Sequence, residues 1–201
     1  MRLLARLFVI PLIGIFCSAA SADILFSLEG PLSKNTTLAQ LKKYYGEANV
    51  RESRIHLGEG FYEMGTVLFP SDSKKKVLIT WKNKERTRPA RVYIRNDSTG
   101  WKTQIGLIGI GSTLSEIEAL NGRPFVLAGH SWDYAGTVLS WKDGTLAREF
   151  ERPGARILLR LGGDWSVDKN FEVAGDGDYT SSHPIMKKVN PRVYEIVIGF
   201  D

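Results

Sequence analysis

The densest group of chemically capable side chains is His130-Ser131-Trp132-Asp133-Tyr134. An imidazole with a carboxylate three residues on suits a general base and its orienting partner. This points to a hydrolase built on His130 and Asp133. No motif supplies a nucleophile for that pair, although Ser131, Ser181 and Ser182 are present and His183 follows the last two. The same five residues also suit an aromatic loop that packs on a sheet or meets a partner through Trp132 and Tyr134. A second candidate is Lys82, Lys84, Arg86 and Arg88, which alternate strictly. On a strand continuing past Trp81 they would project from one face at about 6.6 Å spacing. Such a row suits lipid or lipopolysaccharide phosphates or an acidic protein, and lysines on an edge strand also block edge-to-edge pairing.

Other patterns only imitate sites. Gly106-Leu107-Ile108-Gly109-Ile110-Gly111-Ser112-Thr113 reads as a phosphate loop, but Ser112 replaces the lysine that reaches the β- and γ-phosphates. Asp176-Gly177-Asp178 opens like a calcium loop, yet Ser181 and Lys187 hold the positions that need Gly and Glu. A solvated acidic loop is expected there, with a weak calcium site as the alternative if Asp164 or Asp168 folds back. His56, His130 and His183 lack metal-ligand spacing. No nucleotide, metal or other cofactor is implied.

The elements that carry these residues show a repeat. Thr36-Thr37-Leu38-Ala39-Gln40-Leu41 recurs 76 positions later as Ser112-Thr113-Leu114-Ser115-Glu116-Ile117. Thr37 with Gln40 and Thr113 with Glu116 form capping boxes, and Gly46 and Gly122 suit the left-handed residue that ends a helix. Leu38, Leu41 and Tyr45 form one apolar face, and Leu114, Ile117 and Leu120 the other. Gly65-Thr66-Val67-Leu68 recurs as Gly136-Thr137-Val138-Leu139. Period-two patterning predicts strands over 61–69, from Val77 to Trp81, over 137–141, 156–161 and 193–200. Lys142-Asp143-Gly144 predicts a hairpin returning as a strand from Leu146 to Phe150. Gly162 to Lys188 reads as a long loop. The expected fold is α+β, with two tandem helix-plus-antiparallel-sheet repeats, 23–100 and 101–201, sharing one sheet.

The first 22 residues read as a signal peptide. Arg2 and Arg6 precede an apolar stretch, and Ala20-Ser21-Ala22 is a cleavage site. Cys17, the only cysteine, lies inside it behind a bulky Phe16, so lipidation is not expected. Cleavage before Asp23 leaves a periplasmic or secreted chain without disulfides or a thiol nucleophile. It also leaves no transmembrane segment, and nucleic acid is not an expected partner. The formal charge of +5 falls to +3 without Arg2 and Arg6, and residues 74–95 hold nine Lys or Arg against Glu85 alone. A polarised surface of this kind favours an anionic partner.

The pattern [ST]-x-x-[EQ]-[LIV] closing at Gly, carried by Thr37–Gly46 and Thr113–Gly122 and followed by a meander, resembles two exported families. One is the SmpA-type outer-membrane assembly lipoproteins; the other is the β-lactamase inhibitory proteins, built from two tandem repeats. The duplication favours the second. The poor setting of Cys17 departs from the first, and the lack of further cysteines departs from the disulfide-bonded second. The resemblance implies a non-enzymatic binding protein using one sheet face. The expected contacts are Lys82, Lys84, Arg86, Arg88, Trp132 and Tyr134, and the alternative is a hydrolase at His130 and Asp133.

Overall fold

The computed structural model describes residues 23–201 except 28, 29, 59 and 96. The segment expected to be a signal peptide, with Cys17 in it, lies outside the described residues. Strand β1 (Ile24–Phe26) leads to helix α1 (Leu38–Tyr45), and β2 (Val50–Gly58), β3 (Phe61–Leu68), β4 (Val77–Trp81) and β5 (Pro89–Arg95) then form an antiparallel meander. Next come β6 (Trp101–Thr103), α2 (Leu114–Asn121), β7 (Val126–Ala128), β8 (Val138–Ser140) and α3 (Thr145–Phe150). The chain continues through β9 (Glu151–Arg152), β10 (Ala155–Gly162), β11 (Asp178–Thr180), α4 (Pro184–Val189) and β12 (Arg192–Phe200). The result is a mixed α+β fold around one large antiparallel sheet. No helix among the described residues is long and apolar enough to cross a membrane.

Both capping boxes form. Thr37 and Thr113 accept from the Gln40 and Glu116 amides, and each N3 side chain accepts from its cap amide in return. Gly46 and Gly122 close the helices at φ 88° and 75°. Helices this short depend on tertiary packing. Leu41 of α1, Leu114 and Ile117 of α2, Leu146 and Phe150 of α3 and Met186 of α4 all join one buried cluster with the sheet's apolar side chains.

The large sheet has the order β2-β3-β4-β5-β12-β10-β9. Its centre is the antiparallel pair β5 and β12, with Ile94 opposite Ile196 and Val92 opposite Ile198. A second, three-stranded sheet runs β11-β7-β8. Thr137, just before β8, bridges Arg160 of β10, and the Leu161 amide donates to the Gly136 carbonyl. Thr137 Oγ1 and Arg160 Nε are buried at this joint without hydrogen-bond partners among the described residues. Strands β1 and β6, which precede the two capped helices, pair in parallel with Ile24 opposite Trp101.

Three expectations are corrected. The strand does not continue past Trp81, because Asn83 Oδ1 accepts from the Thr87 and Arg88 amides and closes a loop. Leu146 to Phe150 is helix rather than strand. Leu146 and Phe150 stand four apart on its buried face, and Asn121 Oδ1 accepts from the Leu146 amide at its start. The segment Gly162 to Lys188 is not plain loop: it holds β11 and most of α4, whose Pro184 occupies a first-turn position that tolerates a missing N–H.

Candidate functional site

Two places combine polar chemistry with aromatic surface. The first is the face of the large sheet turned away from the helices. Strand pairing sets three residues in each of three rows across β5, β12 and β10. Arg91, Gly199 and Arg156 form one row; Tyr93, Val197 and Leu158 the next; and Arg95, Glu195 and Arg160 the third. Rows alternate with the buried Val92, Ile94, Ile196, Ile198, Ile157 and Leu159, so all nine positions share the opposite face.

Glu195 is nearly fully buried and holds both neighbours: Arg95 Nε donates to one carboxylate oxygen, and Arg160 Nη1 lies 2.9 Å from the other. The Arg95 guanidinium lies 4.4 Å above the Tyr93 ring, and its Nη1 donates to the His56 carbonyl. Arg91 and Arg156 are exposed and make no ion pair among the described residues. Between them a Cβ on Gly199 would meet nothing within 4 Å. Within these rows four guanidiniums thus face one carboxylate, around a centre where Val197 and Leu158 are half-buried and Tyr93 is buried beneath Arg95. Trp132 and Tyr134 stand edge to face with ring centres 5.4 Å apart, and the Arg160 guanidinium lies 5.5 Å from the Tyr134 ring. This pair therefore flanks the Arg160 corner.

The basic row chosen from the sequence lies elsewhere. Lys82 to Arg88 caps the Pro89 end of β5, whereas Arg95, Glu195 and Arg160 meet at its other end. Seven residues of strand separate these ends by about 20 Å. Lys82, Lys84 and Arg88 are exposed. Arg86 is pinned: its guanidinium pairs with Glu52 and its carbonyl accepts from the Leu38 amide ahead of α1. Trp132 and Tyr134 therefore stand with the sheet arginines, not with the loop cations.

Comparison with protein-family models, curated proteins and solved structures finds no match for this chain. Its function has to be argued from these side chains.

The second place is the His130 loop. His130 does not pair with Asp133. Its Nε2 lies 2.8 Å from Asp168 Oδ2, and its Nδ1 lies 2.6 Å from Ser131 Oγ. The imidazole is 3% exposed and stacks on Trp165 with ring centres 4.6 Å apart. Asp168 accepts further bonds from the Glu172 and Val173 amides. Burial pushes its carboxyl up, but the bonds from His130, Val173 and Glu172 outweigh this and hold it below the ordinary carboxylate range. The expected solvated acidic stretch is thus partly structural, with Asp164 capping the short turn at Ser166 and Asp168 in the interior.

The glycine-rich segment is a turn into α2. The Thr113 amide, where an anion would bind, is already taken by the Glu116 carboxylate. That bond and the one from the Thr113 hydroxyl lower the Glu116 carboxyl.

Sequence reading missed the sheet arginines, though their signal is present: Arg91-x-Tyr93-x-Arg95 and Arg156-x-Leu158-x-Arg160 alternate as the loop cations do. It also missed Asp168, 38 positions from His130, for which no local signal exists.

Proposed function

We propose that this protein is an exported binding module that takes an acidic protein partner on the open face of its sheet. The observation that carries the reading is the three-row patch, with four arginines against Glu195 around Tyr93, Val197 and Leu158. Arginine and aromatic side chains dominate energetic centres of protein interfaces. Here Trp132 and Tyr134 extend the patch at the Arg160 corner. The exposed Lys82, Lys84 and Arg88, at the far end of β5, add long-range attraction rather than contact. Arg86 is occupied by Glu52.

The reading includes a duplicated architecture like that of the β-lactamase inhibitory proteins, with strand, turn, capped helix and hairpin repeated. Two surface clefts support it. One is lined by Gly30, Asn35, Thr36, Gln40 and Tyr44; the other is lined by Gly106, Gly111, Ser112, Glu116 and Leu120, at the same 76-residue offset. The bridge from Thr137 to Arg160 supports one sheet extending into the second unit.

The test is affinity capture of envelope proteins by the purified protein and by an Arg91→Glu/Arg156→Glu variant. The expected result is one acidic partner, captured at low salt, released at high salt and lost in the variant. Capture unchanged by the double reversal would refute the sheet-face reading. If reversing Lys82, Lys84 and Arg88 alone abolished binding, the contact would move to the loop.

A further inference from the structure

The chain Ser131–His130–Asp168 has no role in the binding face, and its order of contacts is that of a base-activated hydroxyl. Asp168 is an acceptor-only carboxylate for the imidazole, so His130 Nε2 carries the proton and Nδ1 presents its lone pair to Ser131. The two backbone amides that also donate to Asp168 fix its carboxylate, and Trp165 stacked on the ring fixes the plane of His130. The base is buried while Ser131 is exposed, which leaves the hydroxyl open to a reactant and the imidazole shielded from water.

Ser131 also has φ 66°, a left-handed conformation uncommon for a residue with a Cβ. Strain of this type collects where a side chain must be presented. The amides of Trp132 and Asp133, which follow it, donate to no acceptor among the described residues. An N–H immediately after a nucleophile is a standard donor to the oxyanion of acyl transfer. Trp132, Tyr134 and Phe171 all stay exposed, and the Phe171 ring centre lies 6.2 Å from that of His130. Three exposed aromatic rings thus lie on this loop or beside His130, together with the exposed Asp133.

We propose that Ser131 is a nucleophile for carboxylic esters with an apolar acyl group, with His130 as its general base and Asp168 as a positioning residue. Ser131 Oγ bonds to the acyl carbon as its proton passes to His130 Nδ1, and the carbonyl electron pair moves onto oxygen, facing the free amides. Collapse of that adduct breaks the ester C–O bond, and the departing alkoxide takes the proton from Nδ1. Water then attacks the acyl-serine, gives its proton to Nδ1 and releases the acid. Ser131 Oγ recovers that proton. Ester and water are the only reactants. This site shares Trp132 and Tyr134 with the flank of the sheet face, but its test reads Ser131 alone and does not depend on the sheet-face reading.

The experiment treats the purified protein with an alkyl fluorophosphonate and follows adducts by peptide mass mapping. Ser131 displaces fluoride from phosphorus and keeps the phosphonyl group. Ser115 and Ser182, both exposed and with no histidine hydrogen-bonded to their hydroxyls among the described residues, are internal controls in the same chain. General-base assistance is worth about 10²–10⁴-fold, so Ser131 is expected to label at least about 100-fold faster than either. Labelling at the control rate overturns the proposal, and this ratio decides it whether or not any variant folds. In Asp168→Asn the Ser131-to-Ser115 ratio is expected to drop at least tenfold, because the amide no longer fixes the tautomer. An unchanged ratio removes Asp168 from the role. Turnover of p-nitrophenyl butyrate that disappears in Ser131→Ala supports the hydrolytic half. Stoichiometric acylation of Ser131 without turnover overturns that half.

Discussion

Replacing Glu195 by Gln isolates the charge at the centre of the sheet's open face. The glutamate side chain is 6% exposed, whereas those of Arg95 and Arg160 are each 24% exposed. The substitution preserves shape and one acceptor oxygen, but it leaves two guanidiniums facing each other without a shared anion. A hydrogen bond to a charged group contributes about 1.5–3 kcal/mol, and removing one partner of a fully buried pair costs about 3–5 kcal/mol. Both arginines reach water and the amide keeps part of one bond, so the expected loss is about 2 kcal/mol. For a chain of this size each kcal/mol moves Tm by about 2–4 °C. Calorimetry should therefore show a fall of roughly 4–8 °C, largely retained at 1 M salt because the carboxylate is shielded. Glu195→Gln also makes the patch more positive, so capture of an acidic partner should persist at temperatures where the protein is folded. A Tm change under about 1 °C would refute the argument, since Arg95 and Arg160 would then not depend on Glu195.

Two further outcomes follow from the same geometry. A Cβ at Gly136 would lie 1.8 Å from the Leu161 carbonyl oxygen, at a φ of 66°. Gly136→Ala should therefore break the joint between β8 and β10, and hydrogen exchange should show the amides of Leu127, Ala128, Thr137 and Leu161 losing protection before those of β5 and β12. Because the folded pKa of Asp168 is depressed, it contributes stability above the ordinary carboxylate value of about 3.9, and this is lost as pH falls through its folded value. Acid titration monitored by tryptophan fluorescence should give a shallower dependence of stability on pH for Asp168→Asn.

The parts of the fold legible in the sequence were those fixed by neighbours along the chain. Thr37 with Gln40 and Thr113 with Glu116 lie within one helical turn, so the capped helices could be read directly. Strands β10 and β12 were legible because buried apolar residues alternate with less buried ones along most of each. Alternation alone misled at Lys82 to Arg88, where the Asn83 side chain supplies the bonds that a strand partner would have made. Lys142 and Asp143 do turn the chain through left-handed conformations, but the expected hairpin does not form, because Leu146 and Phe150 fit the four-residue spacing of a helix equally well.

The candidate sites were less legible, for a different reason. Arg91 and Arg156 look like isolated surface charges until pairing sets both beside Gly199. His130 has an obvious local carboxylate in Asp133, but the buried one that binds it comes from a turn 38 positions away. In both cases the chemistry is created by pairing at long sequence separation, which no local pattern encodes.

The central pair of the large sheet carries a consequence for how the protein is made. Glu195 lies opposite Arg95, 100 positions later in the chain. At about 5–20 residues per second of synthesis, β5 waits roughly 5–20 s for its partner to be translated. During that interval Val92 and Ile94 sit on an unpaired edge strand, the type of surface that recruits other chains. A newborn chain in this state needs a chaperone, or a route that keeps it extended, until β12 arrives.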